Sequence, residues 1–309
     1  MNGALNVLLE RCVYTRPALS ALLERLSPFL GIAGNLRGKK VLLKPNLISA
    51  YGPALACTDP RFIAAVAGWF VDRGADVCIG DSPAFGSAAA VLKRLGVHSD
   101  LMQLGVRVVE FATSREFILA NGLRIGVAAQ ALDCDLLVNL PKIKAHNQMY
   151  MTIAVKNIFG IVKGLQKSLL HMRYGDTHHR FAEIILALVD LLPENITIAD
   201  GITAMHVSGP LHGRPLALRC VAGSVNPLAV DTALLAALEL APDRSPLWLA
   251  AGRRKCPGAQ LAEIEFPFLH PLDFHGSGFV APEWLAPVRF NPIRFLRGTM
   301  KRMILALRL

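Results

Sequence analysis

No CxxC pair and no ferredoxin-like cysteine spacing occurs in this chain. Its six cysteines, Cys12, Cys57, Cys78, Cys134, Cys220 and Cys256, stand far apart, which argues against a cysteine-ligated iron–sulfur cluster. Cys78 and Cys134 fall inside sequence-predicted strands, where a small buried thiol packs as a hydrophobe, and a reducing cytoplasm suits all six. The sequence also has no GxGxxG after its first predicted strand, no Gly-rich GK[ST] loop, no GxSxG elbow and no HExxH pair. These absences argue against an ordinary dinucleotide dehydrogenase, a P-loop enzyme, an α/β-hydrolase and a zincin.

Long uninterrupted apolar runs are missing as well. The mean hydropathy is +0.41, yet a charge breaks each run, as Asp190 breaks the stretch 184–192, and none reaches the roughly 18 residues that a membrane-spanning helix needs. Residues 1–11 contain no basic region ahead of a long apolar core, and Glu10 stands where a signal peptide would be apolar. Export by that route is not expected, and the expected location is the cytoplasm.

The chain does carry a large apolar fraction: 53% of its 309 residues are hydrophobic and 18% are charged, enough for a buried sheet covered by helices. One main domain is expected over 1–265, followed by a Pro- and aromatic-rich segment and a basic tail over 266–309. The net charge of +10 would favour an acidic small molecule, an anionic membrane surface or nucleic acid. In the tail, Arg294, Arg297, Lys301, Arg302 and Arg308 interleave with Phe295, Leu296, Met300, Met303, Ile304 and Leu305. That pattern suits peripheral contact with a membrane or packing of a C-terminal helix on its own domain. Nucleic acid ranks last, because no recognised binding module is present.

Strand and helix signals alternate. Residues 41–43 read as a strand ending at Lys44-Pro45-Asn46, and Thr58-Asp59-Pro60 caps a helix running to about Arg73, where Gly74 ends it. A second strand over 76–80 closes with Gly80-Asp81-Ser82-Pro83 and precedes a helix over 87–95. A third, over 135–140, ends in Pro141-Lys142-Ile143-Lys144-Ala145-His146. A capped helix follows over 177–192, then a strand over 196–199 ending in Asp200-Gly201. A strand over 216–222 and a helix over 227–240, carrying Asp231, complete the series. The expected fold is therefore α/β: a mostly parallel sheet with helices on both faces in Rossmann-like layering, plus a C-terminal appendage.

Ligands of open parallel sheets bind beyond the carboxyl ends of the strands. Four predicted strand ends carry Lys44 and Asn46, Asp81 and Ser82, Lys142, Lys144 and His146, and Asp200. Taken singly, Asp81 and Asp200 read equally well as turn caps. Lys142, Lys144, Lys156, Lys163 and Lys167 lie among glycines and apolar residues, a setting suited to gripping phosphate or carboxylate. Lys156 falls in the apolar run 153–159, where an unpaired lysine is costly, so Lys144 and Lys156 are the favoured anion-binding pair. His146 is the best candidate for acid–base work, with Lys144 as its catalytic companion. If a divalent metal is bound, His146, His171 and Asp200 are its expected ligands.

The ordered series Lys44-Pro45-Asn46, Thr58-Asp59-Pro60, Gly80-Asp81-Ser82-Pro83 and Asn139-Leu140-Pro141-Lys142 with Lys144 and His146 resembles the DUF362 family. Ala154-Val155-Lys156-Asn157-Ile158-Phe159-Gly160, Asp200-Gly201 and Asn226-Pro227-Leu228-Ala229-Val230-Asp231 complete the pattern over 39–240. Ligand-binding roles are expected for Lys44, Asn46, Asp59, Asp81, Ser82, Lys142, Lys156, Asn157, Asp200 and Asp231, with Asp81, Asp200 and Asp231 orienting the other groups or binding a cation. Many relatives carry a ferredoxin-type iron–sulfur segment that this chain lacks, so any redox role implies a separate ferredoxin-like partner. The arrangement is also remotely similar to nickel-pincer lactate racemases. The expected function is an enzyme acting on an anionic small molecule, with a metal- or cofactor-handling accessory protein as the alternative.

Overall fold

The computed structural model describes residues 5–288. The basic tail lies outside them. Ten strands form the central sheet: β1 (Leu8–Arg11), β2 (Lys40–Pro45), β3 (Asp76–Ile79), β4 (Arg107–Val108), β5 (Leu136–Leu140), β6 (Lys142–His146), β7 (Tyr150–Thr152), β8 (Asn195–His206), β9 (Arg214–Leu216) and β10 (Cys220–Ser224). The main path runs β7-β6-β8-β5-β2-β3-β4. Pairing is parallel from β6 through β8, β5, β2 and β3 to β4, whereas β7, β9, β10 and β1 add antiparallel edges.

Alternation along the strands sorts side chains between two layers. Val41 and Leu43 of β2 and Val138 of β5 pack with helices α1 (Arg16–Leu26) and α2 (Pro60–Asp72), through Leu22, Phe62, Val66 and Phe70. The intervening Leu42 and Leu137 face the other layer, formed by α4 (Ala154–Ile158), α5 (Gly164–Tyr174) and α6 (His178–Val189), where Val155, Ile158, Ile184 and Ile185 meet them. Helix α3 (Ala88–Arg94), capped by Ser87, packs in the first layer. A third cluster joins Ile143 and Ala145 of β6 to α7 (Pro227–Ala237). The expected caps are present, since Asp59 accepts from Arg61 N and Thr177 from Arg180 N, and Gly74 follows α2 with φ +79°.

The strand boundaries correct the sequence expectation at three places. Lys142 to His146 form β6 rather than a loop, so Lys142, Lys144 and His146 share one face of a strand while Ile143 and Ala145 enter the core. Asp200 lies inside the twelve-residue β8, beside Lys142, rather than at a strand end. The predicted strand over 216–222 divides into β9 and β10.

The described part of the C-terminal segment packs on the sheet domain. Leu269 N donates to Leu9 O (3.1 Å), Val207 N to Val280 O (2.7 Å) and Ala286 N to Asn147 O (2.6 Å), and Phe274 and Phe279 are buried against α7. Among the described residues no helix is long and apolar enough to cross a membrane.

Candidate functional site

A cavity of about 550 Å³ opens beyond the carboxyl ends of β2 and β3 and along the polar face of β6. Asn46 and Ser82 enter it from the strand ends, Lys144 and His146 from β6, Lys156 from α4, and Lys167 and His171 from α5. Helix α5 brings its two residues in together because positions four apart share one helical face. Its first turn is tied to the strand-end loop: Gly164 N donates to Ser82 Oγ (3.1 Å), and Lys167 Nζ donates to Ser82 O.

Lys144 is buried, and its amine donates to Asn46 Oδ1 and to Ala56 O, each at 2.6 Å. With its oxygen so engaged, Asn46 directs Nδ2 at Asn157 Oδ1 (2.8 Å). Asn157 Nδ2 passes to Asn139 Oδ1 (2.8 Å), and Asn139 Nδ2 donates to Ala154 O (3.1 Å) and Thr197 Oγ1 (3.2 Å). An amide that accepts at one end must donate at the other, so the chain of asparagines fixes the acceptor presented to Lys144. Burial, reinforced by the charge of Lys142, lowers the Lys144 pKa to about 8.

Lys156 is held differently. Its Nζ lies 4.7 Å from the Phe159 ring centroid and 6.0 Å from that of Phe181. Burial, then the charges of Lys167, Lys144 and Lys44, lowers its pKa to about 7. Burial does the same for Lys167, to about 8. Among the described residues, no carboxylate forms an ion pair with Lys144, Lys156 or Lys167.

His146 Nδ1 accepts from Gln148 N (3.1 Å) and Met149 N (3.2 Å). A neutral imidazole with Nδ1 accepting carries its proton on Nε2, so the ring is a donor through that atom. Burial and the charges of Lys156 and Lys144 hold its pKa well below the ordinary value, which keeps the ring neutral. His171 packs against Phe181 with ring centroids 4.4 Å apart, its Nδ1 is 3.3 Å from Val288 O, and burial lowers its pKa to about 3.

The remaining predicted site residues are not all at the cavity. Lys44 and Asp81 form a buried ion pair (2.9 Å) at its floor, and Asp81 also accepts from Leu47 N (2.8 Å). Gly160 leaves room for that pair, because a Cβ there would stand 2.2 Å from Asp81 Oδ1 and 2.4 Å from Lys44 Nζ. Lys142 and Asp200 pair at 2.8 Å in a separate network: Asp200 also accepts from Tyr14 Oη (2.6 Å) and Asp59 N (2.9 Å). The Asp59 side chain caps α2 and pairs with Arg61. Asp231 accepts from Ala154 N (2.8 Å) and Val155 N (3.3 Å), so it anchors the start of α4 and thereby Lys156 and Asn157. The structure does not bring Asp200 to His146 and His171, because its oxygens are committed within the other network. Among the described residues no group of three or more His, Cys, Asp or Glu side chains is arranged to hold a metal ion.

Lys167 was named among the lysines of its segment without being favoured, Asn139 stood only within a motif, and Tyr14 was passed over. The first was legible as the i, i+4 partner of His171 on a helix. No local pattern pointed to Tyr14, which meets Asp200 across 186 positions.

Comparison with known proteins places this geometry in context. The model of the family described as Domain of unknown function (DUF362) matches residues 41–236. A thylakoid-associated protein of Synechocystis sp. is 36% identical over 298 residues, which is 95% of this chain and 92% of that protein. A lactate racemase apoprotein from Thermoanaerobacterium thermosaccharolyticum superposes with a TM-score of 0.45 at 13% identity, covering 72% of this chain and 54% of the other. A protein from Thermotoga maritima gives a TM-score of 0.42 at 12% identity, covering 69% and 56%. The chain thus spans just over half the length of these two solved structures.

Proposed function

The chain belongs to the DUF362 family, and we propose that it is an enzyme acting on an anionic small molecule held in the cavity between β6, α4 and α5. One observation carries the reading: Lys144, Lys156 and Lys167 converge on a single cavity without a carboxylate ion pair among the described residues. Burying amines together is costly unless opposite charge is supplied. A bound phosphate or carboxylate supplies it and raises the depressed pKa of each amine it contacts. In this reading His146 acts from Nε2–H as a hydrogen-bond donor to an oxygen that gains charge during the reaction, the role open to a neutral imidazole whose Nδ1 is occupied.

The test is thermal shift and calorimetric titration of the full-length protein with phosphate, sulfate and small mono- and dicarboxylates. Wild type is expected to be stabilised by at least one, and Lys144→Ala and Lys156→Ala to lose most of that response. An exposed substitution such as Lys93→Ala is expected to keep it. Equal responses in all four proteins would sink the reading.

For location, we propose the cytoplasm with peripheral membrane contact through the basic tail, supported by the tail's composition and by the relative from Synechocystis sp. described as thylakoid-associated. Co-sedimentation with anionic liposomes at low salt tests it: retention by a protein lacking 289–309 would overturn the role of the tail.

A further inference from the structure

We propose that Lys156 is a nucleophilic amine that forms an imine with a small carbonyl compound whose anionic group lies beside the carbonyl, the 2-oxo acids being the simplest such compounds. This rests on the anion-binding reading above and goes beyond it, because it assigns one lysine a covalent role. The lysine amines of this region are held in different ways. Lys44 is committed to Asp81 at 2.9 Å, Lys142 to Asp200 at 2.8 Å, Lys144 to two oxygens at 2.6 Å, and Lys167 to Ser82 O. The amine of Lys156 instead stands over the rings of Phe159 and Phe181.

A nucleophilic lysine must offer a lone pair, and enzymes free that lone pair by apolar surroundings or by neighbouring cations. Lys156 has both, with two aromatic rings against it and Lys167, Lys144 and Lys44 acting on it electrostatically. Its position is also set independently of its amine. Asp231 grips the first two backbone N–H groups of α4, and Asn157, next in sequence, is locked into the asparagine chain. A reactive group held through its backbone stays in place when its own charge changes.

The cavity supplies the other parts an imine-forming site needs. Neutral His146 presents Nε2–H as a donor to a carbonyl oxygen, and Lys144 and Lys167 offer positive charge to an adjoining carboxylate. The step balances without an oxidant or reductant. The Lys156 Nζ lone pair bonds to the carbonyl carbon while the C=O π pair moves to oxygen. That oxygen takes up protons released from the amine and leaves as water when the C=N bond forms. Amine plus carbonyl thus gives imine plus water.

The experiment treats the full-length protein with pyruvate or 2-oxoglutarate in the presence of cyanoborohydride, which reduces an imine to a stable secondary amine, and maps the adduct by peptide mass spectrometry. In parallel, binding of oxamate, an isostere of pyruvate that forms no imine, is measured for wild type, and Lys156→Arg, which lacks the nucleophile, is carried through the same reduction. The expected result is one adduct on Lys156, lost in Lys156→Arg, with oxamate bound by wild type. Oxamate binding without an adduct, or with adducts spread over exposed lysines such as Lys39 and Lys93 and none on Lys156, overturns the covalent role and leaves anion binding standing. Absence of both adduct and oxamate binding in wild type overturns the two together. Because the adduct is mapped in wild type, the outcome does not depend on whether the variant folds.

Discussion

Lys142 Nζ and Asp200 Oδ2 lie 2.8 Å apart between neighbouring strands, both buried, with Tyr14 Oη closing the triangle at 3.1 Å from the amine and 2.6 Å from Asp200 Oδ1. The pair holds β6 to β8 and thereby sets the line along which Lys144 and His146 reach the cavity. Removing one partner strands the other charge, which typically costs about 3–5 kcal/mol. Asp200→Asn is therefore expected to lower the denaturant midpoint strongly. Whatever fraction remains folded is expected to bind anions with nearly wild-type affinity, since Asp200 does not line the cavity. A large loss of affinity with unchanged stability would show that Asp200 acts at the site itself.

Gly160 lies directly against the other buried ion pair. An added Cβ would fall 2.2 Å from Asp81 Oδ1 and 2.4 Å from Lys44 Nζ, and neither atom can retreat without giving up its bond. Gly160→Ala is expected to destabilise by roughly 1–3 kcal/mol through overpacking, and more if the pair separates. Urea unfolding checks it, and a midpoint within error of wild type would mean that the floor of the cavity is more yielding than its hydrogen bonds indicate.

Much of this arrangement was legible beforehand, for local reasons. The motif around Lys44-Pro45-Asn46 stood at a strand end because β-branched and leucine residues gave way to proline, and Asp59-Pro60 announced a helix start by cap chemistry alone. What escaped notice was set by distant contacts. Asp200-Gly201 reads locally as a turn, yet pairing with β6 and β10 carries the strand through it to His206. Lys142 and Asp200 drew attention as site residues because polar groups after apolar runs look exposed. Only the fold, which brings Tyr14 and Asp59 N to them, shows why they can be satisfied without a ligand. Asp231 was placed in the right helix, but its grip on α4 spans 77 positions and leaves no trace in local spacing.

Burial lifts the Asp231 pKa from 3.8 to about 7, against the backbone N–H groups of Val155 and Ala154, which pull it down. The folded state therefore holds a proton there that the unfolded chain releases near pH 4. Stability from this group is fully present below the unfolded value and is lost as pH rises through about 7. At about 1.4 kcal/mol per pKa unit the effect amounts to a few kcal/mol. Wild type is expected to lose stability between pH 4 and pH 7 from this source, and Asp231→Asn to lack that decline. Parallel pH profiles for the two proteins would mean that Asp231 stays charged when folded.

Lys156 works in the opposite sense. Its pKa falls from 10.5 to about 7, chiefly by burial and then through Lys167, Lys144 and Lys44, so between those values the unfolded chain binds the extra proton. Stability of the ligand-free protein rises with pH across that window and is lost as pH falls towards 7, and Lys156→Met is expected to flatten that part of the profile. An anion in the cavity reverses the preference, because it favours the charged amines of Lys156, Lys144 and Lys167. Affinity is therefore expected to be highest below about pH 7 and to weaken through pH 8 to 9, as amines with pKa values of about 7 and 8 lose their protons. His146 and His171 contribute little to this trend, since burial keeps both rings neutral over the same range. Titration calorimetry at pH 8 in two buffers of different ionisation enthalpy measures the proton uptake that must accompany binding. Uptake in wild type that shrinks in Lys156→Met is the expected outcome, and binding with no proton uptake would mean that the amines are already charged and the cavity already hydrated.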